Sequence, residues 1–336
     1  MKKILFGAIV FSFLSCTSDR LDVKTKALDF DLVVSRLDLD LANVKTIGDL
    51  KKVHLRYIRE HEDFYNFYLA VCLRIGLSND STTLPALMDF INDGYIQKLH
   101  AEIKKEFGDL NKEIDQFKGG FSYLKYHLPE AALPKYIIFC NSLFTNSVVS
   151  SENTVGVGLE RYLGAESPSI AELPEDPYYP YIKVRMDRRF MVRDMMMSWL
   201  GSNVLPEIQD QKELADVMIQ WGKHFYVLEA CFPKMEKALI LRYFPEEYDW
   251  AISNEKEFWN FLVAQNSLFK RDYKMALNIF SDGPFTSGLP IEEKAPPRLG
   301  QFLGWRVVKK FMDDNPKISI KELIALDFKT ILKSYN

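Results

Sequence analysis

Along most of this chain, apolar residues recur at the three- and four-residue spacing of helices buried on one face. Residues 50–61 and 64–75 carry that pattern, and Gly76 then supplies a C-terminal stop. Two further helices are expected over 84–92 and 95–107, closed by Gly94 and Gly108, and 110–117 continues the helical region. The texture changes after Gly119-Gly120. Pro129 and Pro134 bracket a loop, Lys135 to Cys140 reads as a buried strand, and residues 154–159 form a second one, as a hairpin or as neighbouring strands. A short strand is also expected over 28–34, where apolar and acidic residues alternate. Helical spacing returns over 189–200, 212–232, 234–244, 255–269, 272–280, 298–315 and 319–326. Ser319 followed by Glu322 is a capping-box pattern at the start of the last of these. The expected fold is α+β and helix-dominated with a small central β-sheet. It forms a single domain over 28–336, mostly helical over 28–118, with the sheet over 119–165 and helices over 185–336.

The N-terminal residues follow neither period. Lys2 and Lys3 precede an apolar run from Ile4 to Phe13. That run is far shorter than the roughly 20 residues needed to span a bilayer, so it reads as a removable signal. Phe13-Leu14-Ser15-Cys16 resembles the lipobox of bacterial lipoproteins, in which the cysteine becomes the acylated first residue. Residues 1–15 are then a signal peptide, Cys16 the lipidation site, and 16–27 a polar tether. Several acyl chains, at about 0.8 kcal/mol per buried CH₂, make such attachment lasting. The implied location is the cell envelope, membrane-anchored and facing the periplasm.

Composition then removes several classes of function. The net charge is −3 with both signs interspersed, so no basic stripe marks a nucleic-acid binder. Cys72, Cys140 and Cys231 are widely separated and odd in number, which argues for core packing over disulfides or a thiolate metal site. There is no phosphate-cradling Gly-x-x-x-x-Gly-Lys loop and no Gly-x-Ser-x-Gly elbow. Gly156-Val157-Gly158 lacks the third glycine of a dinucleotide site and reads as strand. His54, His61, His100, His127 and His224 include no i, i+4 pair, and Tyr65 stands where a second ligand would follow His61-Glu62. Glu246-Glu247 and Glu292-Glu293 lie in loop-like segments where water keeps both members ionised. No cofactor is expected. Gly222 inside a strong helix, and Gly300 with Gly304 on one helix face, point to close helix packing. The cluster Met195-Met196-Met197 is suited to filling a core.

Several segments, taken in order, resemble the gliding motility lipoprotein GldB family of the Bacteroidetes. They are Gly120 to Pro129, Val155 to Gly164, Tyr179 to Ile182, Trp221-Gly222-Lys223, and Pro297 to Trp305. The resemblance implies a cell-envelope lipoprotein needed for gliding and linked to the type IX secretion machinery. It also implies a more distant similarity to zinc peptidases with a His-Glu-x-x-His helix, hence a zincin-like body. In that register Arg193 and Met197 take the histidine positions and Asp194 that of the general-base glutamate. Gln220 and Trp221 fall near the third ligand. A permanent guanidinium repels Zn²⁺, and a thioether suits it poorly. The expectation is therefore a pseudo-enzyme whose partners are the membrane, through its lipid, and other gliding-machinery or envelope proteins. The alternatives are an active metal-dependent peptidase or hydrolase, and a solute- or glycan-binding surface lipoprotein. Candidate partner contacts are Tyr178, Tyr179, Tyr181, Arg185, Arg188, Arg189 and Arg298, because aromatics and arginine dominate interfaces.

Overall fold

The computed structural model describes residues 20–289 and 295–335, so the signal segment and Cys16 lie outside the described residues. Among the described residues a four-stranded sheet is built from β1 (Val33–Arg36), β2 (Tyr136–Cys140), β3 (Val148–Ser150) and β4 (Thr154–Gly158), in the order β1-β2-β4-β3. The fold is α+β and helix-dominated, as the periodicity implies. The β2–β4 pair is parallel, with Ile137 opposite Val155 and Phe139 opposite Val157. It is β3, not foreseen from the sequence, that forms the antiparallel hairpin with β4. Strand β1 starts later than expected, because its pairing with β2 begins where the Val33 N–H donates to the Lys135 carbonyl. Upstream, Leu28 instead donates its N–H to Ser122 Oγ, and Phe30 packs edge-on against Phe121.

Both faces of the sheet are covered at its two central strands, β2 and β4, which is why these are nearly continuous runs of apolar and small residues. Ile137, Phe139, Val155 and Val157 enter the larger core, with α5 (Asn111–His127), α8 (Met191–Asn203) and α9 (Leu214–Cys231). Ile138 and Cys140 enter a smaller core with α1 (Leu37–Ala42), α2 (Ile47–Phe67) and α3 (Thr83–Asn92). Gly156 is on this second face. A Cβ there would stand 2.1 Å from Phe64 Cε2, so the glycine admits the ring.

Helix boundaries differ as well: the helix expected over 255–269 starts already at Pro245 and ends at Ala264, and three further differences have a plain physical reason. The helices expected over 50–61 and 64–75 form one run, α2 followed by a π-helical turn over Tyr68–Cys72, and the run is broken at His61 (φ −147°), whose Nε2 lies 3.0 Å from Ser35 Oγ. Helix α5 runs straight through Gly119-Gly120. A Cβ at Gly120 would stand 2.7 Å from both Met196 Cε and Phe232 Cε1, so this glycine serves close packing and ends nothing. The helix expected over 234–244 shrinks to α10 (Lys237–Ile240), because Arg242 adopts a left-handed backbone (φ 57°). The next helix, α11 (Pro245–Ala264), starts with proline in its first turn, where a missing N–H costs nothing.

The C-terminal half closes around α9 and α13 (Leu299–Asp314). A Cβ on Gly304 would stand 1.9 Å from the Met218 carbonyl oxygen, and one on Gly222 2.1 Å from the Gly304 oxygen, so the two backbones touch. Beside this seam, Trp305 Nε1 donates to Glu229 Oε2 at 2.7 Å, and Lys237 neutralises the same buried carboxylate at 2.6 Å. Helix α14 (Ile320–Ala325) carries the Ser319–Glu322 capping box read from the sequence. The stretch expected to be a polar tether packs on the body from residue 20 onward. Arg20 Nη2 donates to the Ile318 carbonyl at 2.7 Å, and Leu21 is buried in the main core.

Candidate functional site: an arginine-lined cavity

The first turn of α8 is aimed by its neighbours. Asp187 accepts the Arg189 N–H at 2.8 Å and starts the preceding turn, while Ser198 and Ser150 hydroxyls meet at 2.9 Å and tie α8 to β3. This places Arg193 and Asp194 at the floor of a cavity of about 360 Å³. Arg193 is buried; its Nη1 donates to Asp194 Oδ1 at 2.7 Å and its Nη2 to the Ile240 carbonyl at 3.0 Å. Asp194 Oδ2 accepts from Arg242 Nε and from the Tyr162 hydroxyl, both at 3.1 Å. Burial alone would raise the Asp194 pKa. The charges of Arg242 and Arg193, with these hydrogen bonds, outweigh it and hold the carboxyl below its usual range.

Four more arginines gather at the same place. Arg242 and Arg298 are both left-handed, with φ of 57° and 62°, a conformation that costs a non-glycine residue about 1–2 kcal/mol. The turn it creates directs the Arg242 carbonyl at two guanidinium groups, Arg185 Nη1 at 3.0 Å and Arg298 Nη2 at 2.8 Å. Arg185 also pairs with Glu247, and Arg298 lies 3.2 Å from Asp282. Arg161, on the turn after β4, reaches only the Phe144 carbonyl, at 3.4 Å, and no carboxylate among the described residues pairs with it. Aromatic faces cushion this crowd: Arg193 lies over Phe225, Arg242 over Phe190, Arg298 over Tyr243 and Arg185 over Phe244. Burial pulls the Arg298 pKa down to about 10, with the nearby Arg185 and Arg242 charges adding to the effect.

The cavity therefore has a cationic wall of Arg161, Arg193, Arg242 and Arg298, moderated by Asp194 and Asp282, and an apolar wall of Met197, Trp221 and Phe225. A smaller cavity shares Arg161, Arg242 and Asp282 and adds Tyr181 and Arg185. Of the expected peptidase-like positions, Arg193, Asp194, Met197 and Trp221 do converge here. Gln220 does not: its Nε2 donates to Asp216 at 2.9 Å, its Oε1 accepts the Gln209 N–H at 2.7 Å, and it lines another cavity. Successive helical residues point about 100° apart, so Gln220 and Trp221 cannot share one wall.

The expected partner surface also breaks up. Arg185 and Arg298 are buried, and Arg188 is engaged with Glu113 Oε1 at 2.8 Å and the Glu106 carbonyl at 2.8 Å. Arg189 pairs with Asp187 at 2.8 Å. Tyr178 packs on Phe144, whereas Tyr179 and Tyr181 stack at 5.9 Å with Tyr179 exposed. Arg161, Arg242, Asp282 and Gln301 were missed by sequence reasoning. Arg161 and Gln301 stood inside family segments, but nothing in the local pattern joins Arg242 and Asp282 to them. Among the described residues, no group of three histidine, cysteine, aspartate or glutamate side chains is placed to hold a metal ion. None of the described helices is long and apolar enough to cross a membrane.

A helix-dominated α+β body with a cationic cleft at the edge of a small mixed sheet defines the class of protein. More particularly, the chain belongs to the gliding motility protein GldB family, whose model matches residues 18–336. No curated protein and no solved structure matches it.

Proposed function

We propose that this gliding motility protein is a non-catalytic, lipid-anchored envelope component, an accessory of the gliding and type IX secretion machinery. Its peptidase-like scaffold has a cleft that binds and does not turn over. The observation that carries this reading is the clasp on Asp194. A general base needs a free lone pair within reach of water and a pKa near the working pH. Asp194 spends its oxygens on Arg193, Arg242 and Tyr162, and its pKa is depressed. The guanidinium of Arg193 stays charged even when buried, and in the register the family resemblance implies it stands where a peptidase has a metal-ligating histidine.

The test uses the full-length lipoprotein in detergent, assayed for bound metal and for cleavage of casein-type and cell-wall peptides. No turnover is expected with or without chelator; stoichiometric zinc with chelator-sensitive cleavage would overturn the reading. Cys16→Ser in a gliding strain tests the anchor. The variant is expected to leave the membrane fraction or accumulate unprocessed, and spreading should be lost.

A further inference from the structure

We propose that the arginine-lined cavity is an oxyanion-binding site, seating a carboxylate or phosphate against Arg161, Arg193 and Arg298 and a flat apolar part of the same ligand against Trp221 and Phe225. The inference names the ligand class of the cleft and rests on reading that cleft as a binding site.

Three observations carry it. The wall holds two more cations than carboxylates, all facing one void of about 360 Å³, a size at the lower end of small-ligand pockets. Arg193 and Arg161 each keep a buried Nε–H without a hydrogen-bond partner, and Arg193 is only 5% exposed. A buried donor left unmade costs about 1–3 kcal/mol, a cost that an oxyanion would offset. Finally, the guanidinium groups are held rigidly. Backbone carbonyls of Ile240 and Arg242 fix two of them, Arg193 and Arg298, at the expense of left-handed backbone at Arg242 and Arg298. Strain concentrated in this way is typical of ligand clamps. The N–H groups these bonds leave over, the Arg161 and Arg193 Nε–H among them, can donate charge-assisted hydrogen bonds to the oxygens of a carboxylate or phosphate. The apolar wall selects against a bare ion, since Trp221 and Phe225 rings lie 6.0 Å apart and tilted by only 30°, a broad surface for a ring or ring-like body.

The probes are phenylphosphate, phenylacetate, inorganic phosphate and the neutral phenylacetamide, titrated calorimetrically into the full-length protein in detergent. At least one aryl oxyanion should bind at a single saturable site, on the order of tenfold tighter than the amide. Preference for phenylphosphate would identify a phosphate source such as a lipid headgroup; preference for phenylacetate would identify a carboxylate, as on a peptide end or acidic sugar. Arg161→Gln breaks no ion pair and should weaken binding by about tenfold. Asp282→Asn removes a competing, mostly exposed carboxylate and should tighten it severalfold, an effect that lost folding cannot mimic. Anions that bind no better than the amide, or unchanged binding in Arg161→Gln, would overturn the site. Equal affinity for phosphate and phenylphosphate would overturn the aromatic wall. Failed titration sinks only this inference, whereas chelator-sensitive cleavage would sink the non-catalytic reading and leave the titration standing.

Discussion

Helix α9 meets two kinds of neighbour one residue apart. At Gly222 it touches α13 backbone to backbone, with no room for a single added carbon. At Trp221 it borders an open, cationic cavity whose other walls come from six separate segments of chain. The glycine seam is closed, neutral and made by two helices. The cavity is open, charged and assembled from the start of β3, the turn after β4, α8, the turn after α10, the loop at Asp282 and the start of α13. The contrast teaches that one helix can serve as the rigid spine of the fold on one side and the wall of a site on the other. It also separates stability held by shape from stability held by charge.

The sharpest way to break the charge-held side is Asp194→Ala, which leaves Arg193 and Arg242 buried without their carboxylate. A loss of about 3–5 kcal/mol is expected from urea unfolding at neutral pH. The sign of its pH dependence follows from linkage. A carboxyl with a depressed folded-state pKa contributes its stability above the unfolded value, near 3.9, and loses it as pH falls through the folded value. The deficit of Asp194→Ala should therefore be full near neutrality and shrink below about pH 4.

Next comes the shape-held side. Gly304→Ala drives a methyl to within 1.9 Å of the Met218 oxygen and must part α9 from α13. A loss of about 2–3 kcal/mol is expected, and it should not vary with pH, because no titrating group is removed. Equal pH profiles for the two variants would erase the distinction between the regions. Outside both, Ser319→Ala should cost about 1 kcal/mol through its lost cap, a calibration of purely local effects. Smallest of all, Arg161→Gln should stay within about 0.5 kcal/mol of wild type, since its side chain is partly exposed and forms no ion pair among the described residues. A larger loss would move Arg161 from the binding wall into the structural frame.

The two regions were not equally legible in the sequence. Gly222 and Gly304 announced the seam, because a glycine in a strong helix has few uses other than close approach; Gly300, expected on the same face, instead admits the Phe280 ring. Gly119-Gly120 hides the same role, because two adjacent glycines read as a boundary in the sequence. There the rings and thioether pressing on Gly120 come from Phe232 and Met196, far along the chain. At the cavity, Arg193, Asp194, Met197 and Trp221 were found through family resemblance, while Gln220 was carried with Trp221 onto a face it does not share. Arg242 and Asp282 had no signal at all. A four-residue helix ending in a left-handed arginine carries no period, and a lone aspartate after α12 (Tyr273–Phe280) is indistinguishable from solvated loop charge.

What the amino-acid order alone determined was the class of the fold, most of its helices, the buried β2 and β4 strands, and the family. Those follow from apolar periodicity and short motifs, which act over a few residues and need no knowledge of what lies opposite. Only the tertiary structure decided that β2 and β4 run parallel with β3 beyond them, that Arg185 and Arg298 turn inward, and that Asp194 is clasped. Charge is the reason. An arginine is equally at home on a solvated surface and against a buried carboxylate, and which of these it finds depends on partners that folding brings from distant parts of the chain.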